Sequence, residues 1–389
     1  MDKIFLSKAG AVALNGIFGY EPELSHRLIE RFGSPEAVFL LPEKEREKLF
    51  GPYSKFLPRI GEAGLEAAGK LVSRLESNGY RILTICDELY PPLLKECQDA
   101  PAALFLRSSS DDASIFNGRP MISIVGTRDL SPYGKEWCTR IVQALSESPA
   151  KPCIVSGMAI GVDITAHMAA LAYGLPTIGV LPVGIDDIYP RRHSVAAQKV
   201  ANSPGSGLVT DFLPGTGATR FNFLRRNRII AGMSSATILI ESKSSGGGML
   251  TARLAFDYGR DVFALPGRID DKRSAGCNML LKEKIAEPVT SLQELAESLG
   301  LGRFNVRKKT DLAEAIESRY SGGAEAEMLT ELKDIAGIIR GKRGISFEEL
   351  CSEHGYTYPE VTRLAGILER DGFIEVDLLQ RCAINAKKL

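Results

Sequence analysis

Cys153-Ile154-Val155-Ser156-Gly157-Met158-Ala159-Ile160-Gly161-Val162-Asp163 decides the fold. Three apolar residues of strand character run into two glycines, and a helical pattern follows. The same unit repeats on both sides. From Pro120 onward, strand-length apolar runs occur at Met121–Val125, Cys153–Val155, Thr177–Leu181, Leu208–Thr210, Thr237–Ile240 and Val262–Leu265, with helical stretches between them. Strands alternating with helices mean βα units, so the chain is read as α/β with a doubly wound, mostly parallel sheet. In such sheets ligands bind at the carboxyl ends of strands, where strand order reverses. The segments expected there are polar or glycine-rich: Gly126-Thr127-Arg128, Ser156-Gly157-Met158-Ala159, Pro182-Val183-Gly184, Ser244 to Gly248 and Pro266-Gly267-Arg268.

A second stretch, Phe221-Asn222-Phe223-Leu224-Arg225-Arg226-Asn227-Arg228-Ile229-Ile230-Ala231, concentrates positive charge in a chain of net charge zero. On a helix Arg225 and Arg228 share a face with Arg226 beside them, while Ile229 and Ile230 face a sheet. It is either an anion site or a solvated helix end with ordinary surface arginines. The turn from Ser156 to Asp163 offers free amide groups at a helix start, which suits a phosphate, although packing alone also explains such glycines. Ser244 to Gly248 with Thr251 and Arg253 forms a second candidate phosphate cradle. Neither G-x-G-x-x-G nor a Walker Gly-Lys-Ser/Thr is present, so neither NAD nor ATP use is supported and no cofactor is expected. Asp163 and His167, four residues apart on one helix, could act as an acid–base pair or as structural hydrogen-bonding groups. Cys277 has no histidine near it in sequence and reads as a small buried thiol.

The flanks differ in pattern. Residues 1–85 read as a helical N-terminal domain, SAM- or helix-hairpin-helix-like, in which Leu14-Asn15-Gly16-Ile17-Phe18-Gly19-Tyr20 weakly echoes a helix-hairpin-helix turn. The α/β region spans 86–301. Residues 302–327, with the basic run Arg303 to Lys309 and Ser321-Gly322-Gly323, read as a linker. In 328–389 three helices and a hairpin give a winged-helix pattern whose third helix, with Glu360, Arg363, Glu369 and Arg370, is not basic and points to packing or protein contact. Seven cysteines without a C-x-x-C pair and four scattered histidines argue against a metal site. No apolar run reaches the roughly 18 residues of a membrane span and no signal peptide is evident, so a cytoplasmic, membrane-free protein is expected.

The ordered motifs Ile124-Val125-Gly126-Thr127-Arg128, Tyr133-Gly134, Val155 to Asp163, Ala166-His167, Tyr189-Pro190, Arg226-Asn227-Arg228-Ile229-Ile230-Ala231-Gly232, Thr251-Ala252, Pro266-Gly267 and Gly276-Cys277-Asn278 closely resemble the DNA-processing protein A family, also called DprA or Smf. The resemblance runs from about Tyr90 to Leu281. It implies an extended Rossmann-like domain that binds single-stranded DNA in a basic pocket, forms a homodimer and helps load the RecA recombinase in natural transformation. Carried onto this chain, it implies DNA-contacting positions at Gly126, Thr127, Arg128, Ser156, Gly157, Arg220, Phe223, Arg226, Asn227, Arg228, Gly247 and Thr251, and no catalytic residue. Arginines and backbone amides hold phosphates, and a phenylalanine offers a sequence-tolerant face to a base. The chain departs from the family at Gly246-Gly247-Gly248, where Ser-Gly-Ser is usual, at Leu224 for proline, at Asp211 for glutamate, and after Asn278, where Gly-Ala is missing.

A different class remains to be weighed. The core also resembles nucleotide-processing phosphoribohydrolases, whose Pro-Gly-Gly-x-Gly-Thr-x-x-Glu loop carries a catalytic glutamate. Leu254 stands three residues after Thr251 here, so that carboxylate is absent and the expectation is a binding protein, not an enzyme.

Overall fold

The computed structural model describes residues 2–110, 115–116, 118–302, 312–320, 326–342, 344–377 and 379–385. The chain divides into two compact units, Met1–Phe304 and Asn305–Leu389. The first unit opens with helices α1 (Lys3–Phe18), α2 (Pro22–Phe32), α3 (Glu43–Phe50) and α4 (Glu62–Ser77). The Asp2 carboxylate accepts from the Ile4 amide at the start of α1. Pro22 at the first turn and left-handed Gly33 at the end delimit α2.

Nine strands follow: β1 (Arg81–Thr84), β2 (Ala103–Arg107), β3 (Met121–Val125), β4 (Cys153–Ser156), β5 (Thr177–Val180), β6 (Gly207–Thr210), β7 (Ala236–Leu239), β8 (Asp261–Ala264) and β9 (Glu287–Pro288). They form one sheet in the order β1-β2-β6-β5-β4-β3-β7-β8-β9, antiparallel at β1/β2 and β2/β6 and parallel elsewhere. Between the strands lie α5 (Pro92–Lys95), α6 (Pro132–Glu147), α7 (Val162–Ala172), α8 (Ser194–Ala201), α9 (Arg220–Gly232), α10 (Gly247–Asp257) and α11 (Ala275–Lys282), with α12 (Leu292–Ser298) after β9. The chain runs outward from β3 through β4, β5 and β6, then returns to β7 on the other side of β3. Strand order therefore reverses at β3, and the loops after β3, β4 and β7 meet there.

Both sheet faces are covered, which is why the strands read as continuous apolar runs. Met121 and Val125 of β3 face the layer that contains Ile229 and Ile230 of α9 and Met249 and Ala252 of α10. Ile122 and Ile124 face Ile141 and Val142 of α6 and Ala166 and Ala170 of α7. Ser123, between them, bonds its hydroxyl to that of Thr237 at 2.6 Å.

The helical N-terminal region ends earlier than the sequence suggests, because Arg81–Thr84 pairs with β2 as an edge strand. The region also shares its core with the sheet: Leu14, Phe18 and Val72 belong to one apolar cluster with Phe105 and Leu208. The hairpin echo resolves into a clip. The Asn15 side chain donates to the carbonyls of Ala103 (2.7 Å) and Asp211 (3.1 Å) and accepts from the Ala103 amide (3.2 Å).

The second unit contains α13 (Leu312–Tyr320), α14 (Ala326–Gly341), β10 (Ile345–Ser346), α15 (Phe347–His354), α16 (Tyr358–Arg370), β11 (Ile374–Val376) and β12 (Arg381–Ile384), its strands ordered β10-β12-β11. Leu312 and Ile316 of α13 are buried with Leu332, Ile335 and Leu364, so part of the expected linker is a core helix whose i,i+4 apolar pair is hidden among charges. The basic run Arg303 to Lys309 and the Ser321-Gly322-Gly323 break lie outside the described residues. On α16 the charges are occupied: Arg363 pairs with Glu331 at 2.6 Å, and Glu360 accepts from the Thr357 amide at 2.7 Å in a capping box.

Gly161 joins the two sides of the strand-order reversal. Its φ is 89°, and an added Cβ would collide with the Thr127 carbonyl oxygen. Gly174 has φ 70° with nothing near its missing Cβ. Gly174→Ala should therefore cost about 1–2 kcal/mol for the left-handed backbone alone, and Gly161→Ala distinctly more. Urea midpoints of the two variants check this, and equal losses would mean that the close approach at Thr127 is unimportant.

Candidate nucleic-acid interface

Three strand ends and one helix build the site. After β3 the Thr127 amide donates to the Glu241 carbonyl (2.7 Å) and the Thr127 carbonyl accepts from the Val162 amide (3.2 Å), so the loops after β3 and β7 and the start of α7 hold one another. The Glu241 carboxylate is buried and accepts from the Ser131 amide (2.9 Å) and hydroxyl (2.5 Å) at the start of α6. A helix start attracts anions, and here the chain supplies its own. A Cβ at Gly134 would lie 2.6 Å from that carboxylate.

Beneath the β4 turn lies an ionic layer. Arg226 is buried, donates from Nη1 to the Val180 carbonyl (2.6 Å), and packs so closely on Gly157 that any Cβ there would collide with its guanidinium. Burial pushes the Arg226 pKa down to about 10, against the opposing charge of Asp163. The Asp163 carboxyl is itself raised by burial, with Arg226 acting the other way. It accepts from the Ala159 amide at 3.3 Å. His167 has no solvent exposure, and its Nδ1 lies 2.7 Å from the Thr177 hydroxyl. That hydroxyl donates to the Ile154 carbonyl (2.7 Å), so it accepts the Nδ1 proton of His167. Burial, helped by the Arg226 charge, holds the imidazole neutral with a pKa lowered to about 3. Asp163 and His167 thus face the interior, and the structural reading of the pair fits the geometry.

On the opposite flank of α9, Arg225 and Arg228 do share a face. Both donate from Nη2 to the same Asp211 oxygen, at 2.7 and 2.5 Å. Arg228 also donates to the Asp99 carbonyl and is buried. Ser156 is buried too, its hydroxyl donating to the Ile124 carbonyl at 2.6 Å. Asn227 donates to the Gly247 carbonyl (3.4 Å), and Thr251 does the same (3.3 Å). The site residues expected from sequence therefore form two tiers. Ser156, Gly157, Arg226, Asn227, Arg228 and Thr251 are buried supports. Gly126 and Thr127 are partly exposed, and Arg128, Arg220 and Gly247 are exposed. Phe223 is half-buried, with the Arg128 guanidinium 4.8 Å over its ring and Tyr189 edge-on at 5.3 Å. A Cβ at Gly247 would meet open space. Arg253 pairs with Glu283 at 2.8 Å.

Tyr189, Asp211 and Glu241 are the partners that the sequence reading did not place in the site, although the Tyr189-Pro190 motif and the acidic Asp211 position both carried a signal. Cys277 is buried, its thiol pKa pushed up to about 12 by burial, and it fits the inert small-thiol reading. Among the described residues no group of three His, Cys, Asp or Glu side chains could hold a metal, and no helix is long and apolar enough to cross a membrane.

A family model described as DNA recombination-mediator protein A matches residues 81–300. The chain belongs to the DNA recombination-mediator protein A family. Within that family it is 37% identical over 212 residues to DNA processing protein DprA of Streptococcus pneumoniae, covering 54% of this chain and 72% of the relative. It is 36% identical over 300 residues to protein Smf of Escherichia coli, covering 77% and 76%. The X-ray structure of DNA processing protein A (DprA) from Streptococcus pneumoniae superposes with a TM-score of 0.59 at 29% identity, covering 76% of this chain and 95% of that one. A structure of DNA processing protein A from Helicobacter pylori, described for its single-stranded DNA binding mode, gives 0.50 at 29% identity over 57% and 95%.

The neutral His167 makes stability depend on pH. Its folded pKa, about 3, lies below the ordinary 6.5, so between those values the unfolded chain binds the extra proton and stability falls as pH drops. The limiting slope is about 1.4 kcal/mol per pH unit. Asp163, with its raised carboxyl, contributes in the opposite sense as pH rises above 3.8. Urea titrations from pH 7 to 4 should show a flatter decline in His167→Gln than in the parent chain, and parallel declines would refute the assignment.

Proposed function

We propose that the protein is a single-stranded DNA-binding recombination mediator, acting as a homodimer, that protects incoming DNA and helps load the RecA recombinase in natural transformation. The observation that carries this reading is the accessible tier itself: Arg128 at the strand-order reversal lies over the Phe223 ring and Tyr189 meets that ring edge-on, with Arg220 and the open face of Gly247 as further candidate contacts. Arg128 and Arg220 bind phosphates, the Gly247 backbone admits one closely, and a base stacks on the face of Phe223 that Arg128 leaves free. None of these contacts reads base identity. The single-stranded DNA binding named for the Helicobacter pylori relative supports the ligand class.

The function is binding without catalysis. The phosphoribohydrolase reading asks for a carboxylate where Leu254 stands, and the acid–base alternative asks Asp163 and His167 to reach solvent. Both side chains are instead buried. Release of free base from nucleoside monophosphates by the purified protein would reverse this.

Affinity for a homopolymeric single strand should fall with salt, at about 0.7 per phosphate contact on logarithmic axes. Arg128→Ala should flatten that slope and weaken all sequences alike. Phe223→Ala should lose about tenfold, as expected for one stacked base. Gly247→Ala, whose Cβ meets no protein atom, should leave the melting temperature unchanged and still weaken binding by crowding the phosphate. Duplex binding as tight as single-strand binding, or full affinity in all three variants, would count against the proposal. Light scattering and a RecA-loading assay test the dimer and mediator roles separately.

A further inference from the structure

The first turn of α9 carries a second aromatic group. Phe221 and Phe223 are two residues apart, so they leave the helix about 200° from one another. Phe223 goes to Arg128 and Tyr189. Phe221 goes to the N-terminal helical region, where its ring lies 5.3 Å from that of Tyr20, tilted by 50°. The Arg225 guanidinium sits 4.9 Å over Tyr20 and 4.6 Å over Phe212. Arg225 is in turn held by Asp211, so the platform has a fixed base. Yet its rings remain accessible: Tyr20 is 66% exposed and Phe221 56%, with Leu224 beside them at 42%.

Two large aromatics kept in water on a rigid support are not explained by packing, because the core beneath is already closed by Phe18, Leu14 and Phe105. We propose that Tyr20 and Phe221 form a second base-stacking platform, which extends the single-stranded nucleic-acid track from the strand-order reversal onto the N-terminal helical region. The inference rests on the single-strand reading of the Arg128–Phe223 site. Two observations favour a nucleic-acid base over a protein side chain as the occupant, and a third constrains its path. Phe221 belongs to the same helical turn as Phe223, with exposed Arg220 at its head to hold the phosphate between the two stacked bases. The cation over Tyr20 is already held by Asp211, and both rings keep more than half of their surface exposed. Exposed Glu21 and Glu23 follow Tyr20 and repel phosphate, so the backbone of the strand has to pass on the Arg220 side.

The test uses the full chain and oligothymidylates of about 4 and about 16 nucleotides, which span single-strand site sizes. Phe221→Ala and Tyr20→Ala should each weaken the longer strand about five- to tenfold and leave the short one bound as in the parent, at unchanged melting temperature. Arg128→Ala should weaken both. A direct readout comes from Phe221→Trp in a Trp137→Phe background, Trp137 being the sole tryptophan. Its fluorescence should be quenched on adding the longer strand. Unchanged affinity for both strands together with an unquenched indole overturns the proposal. So does a change of oligomeric state in Phe221→Ala at unchanged affinity, which would assign the pair to a second copy of the chain. Failure of the parent protein to bind either strand would instead refute the underlying single-strand reading.

Discussion

The Asp211 carboxylate, buried just beyond the end of β6, meets Arg225 and Arg228 on one oxygen. Removing one partner of such a buried pair costs about 3–5 kcal/mol, because the remaining charge is left without compensation. Its larger effect is on orientation. Arg225 and Arg228 are three residues apart, so anchoring both fixes the rotation of α9 about its axis. Arg226, about 100° away from Arg225, is then turned under the β4 strand end to reach Val180 and Gly157. The same rotation sends Phe221 and Phe223 to opposite flanks of the first turn.

The glycines at the carboxyl edge follow from these ions. Gly157 lacks a Cβ because the Arg226 guanidinium fills that space. Gly134 lacks one because the Glu241 carboxylate occupies the start of α6. In doubly wound proteins a helix start at the strand-order reversal takes a phosphate, so a chain that fills it with its own carboxylate gives up that site for a bound nucleotide. The accessible chemistry moves outward, to Arg128, Gly247 and the head of α9, where an extended strand can lie across the edge and need not enter it.

The sheet was legible because both its faces are buried, and every strand expected from Met121 onward is found. So was the shared face of Arg225 and Arg228, which needs only helical geometry. Burial was not legible. That Arg226 and Arg228 point inward depends on Asp163, Val180, Asp99 and Asp211, residues brought together by crossovers and invisible to any local window. The edge strands β1 and β9 span four and two residues and carry too little pattern to announce themselves. Helix α13 was hidden by its charges, since Leu312 and Ile316 are too few to outweigh them.

The net charge of zero then acquires a physical meaning. Many arginines are spent on the protein's own carboxylates: Arg225 and Arg228, which look like an anion site in sequence, on Asp211, Arg253 on Glu283, Arg260 on Glu96 and Arg273 on Asp129. Among the described residues, Arg128 and Arg220 are exposed cations beside these aromatics, and exposed Arg191 and Arg192 follow Tyr189. Counterion release scales with the number of phosphates neutralised, so on the proposed single-strand reading this small set gives modest electrostatic affinity and a shallow salt dependence. Under the proposed function, stacking, which scales with accessible ring faces, then supplies a large share of the binding, and the rings on α9 and its neighbours are where the surface offers it.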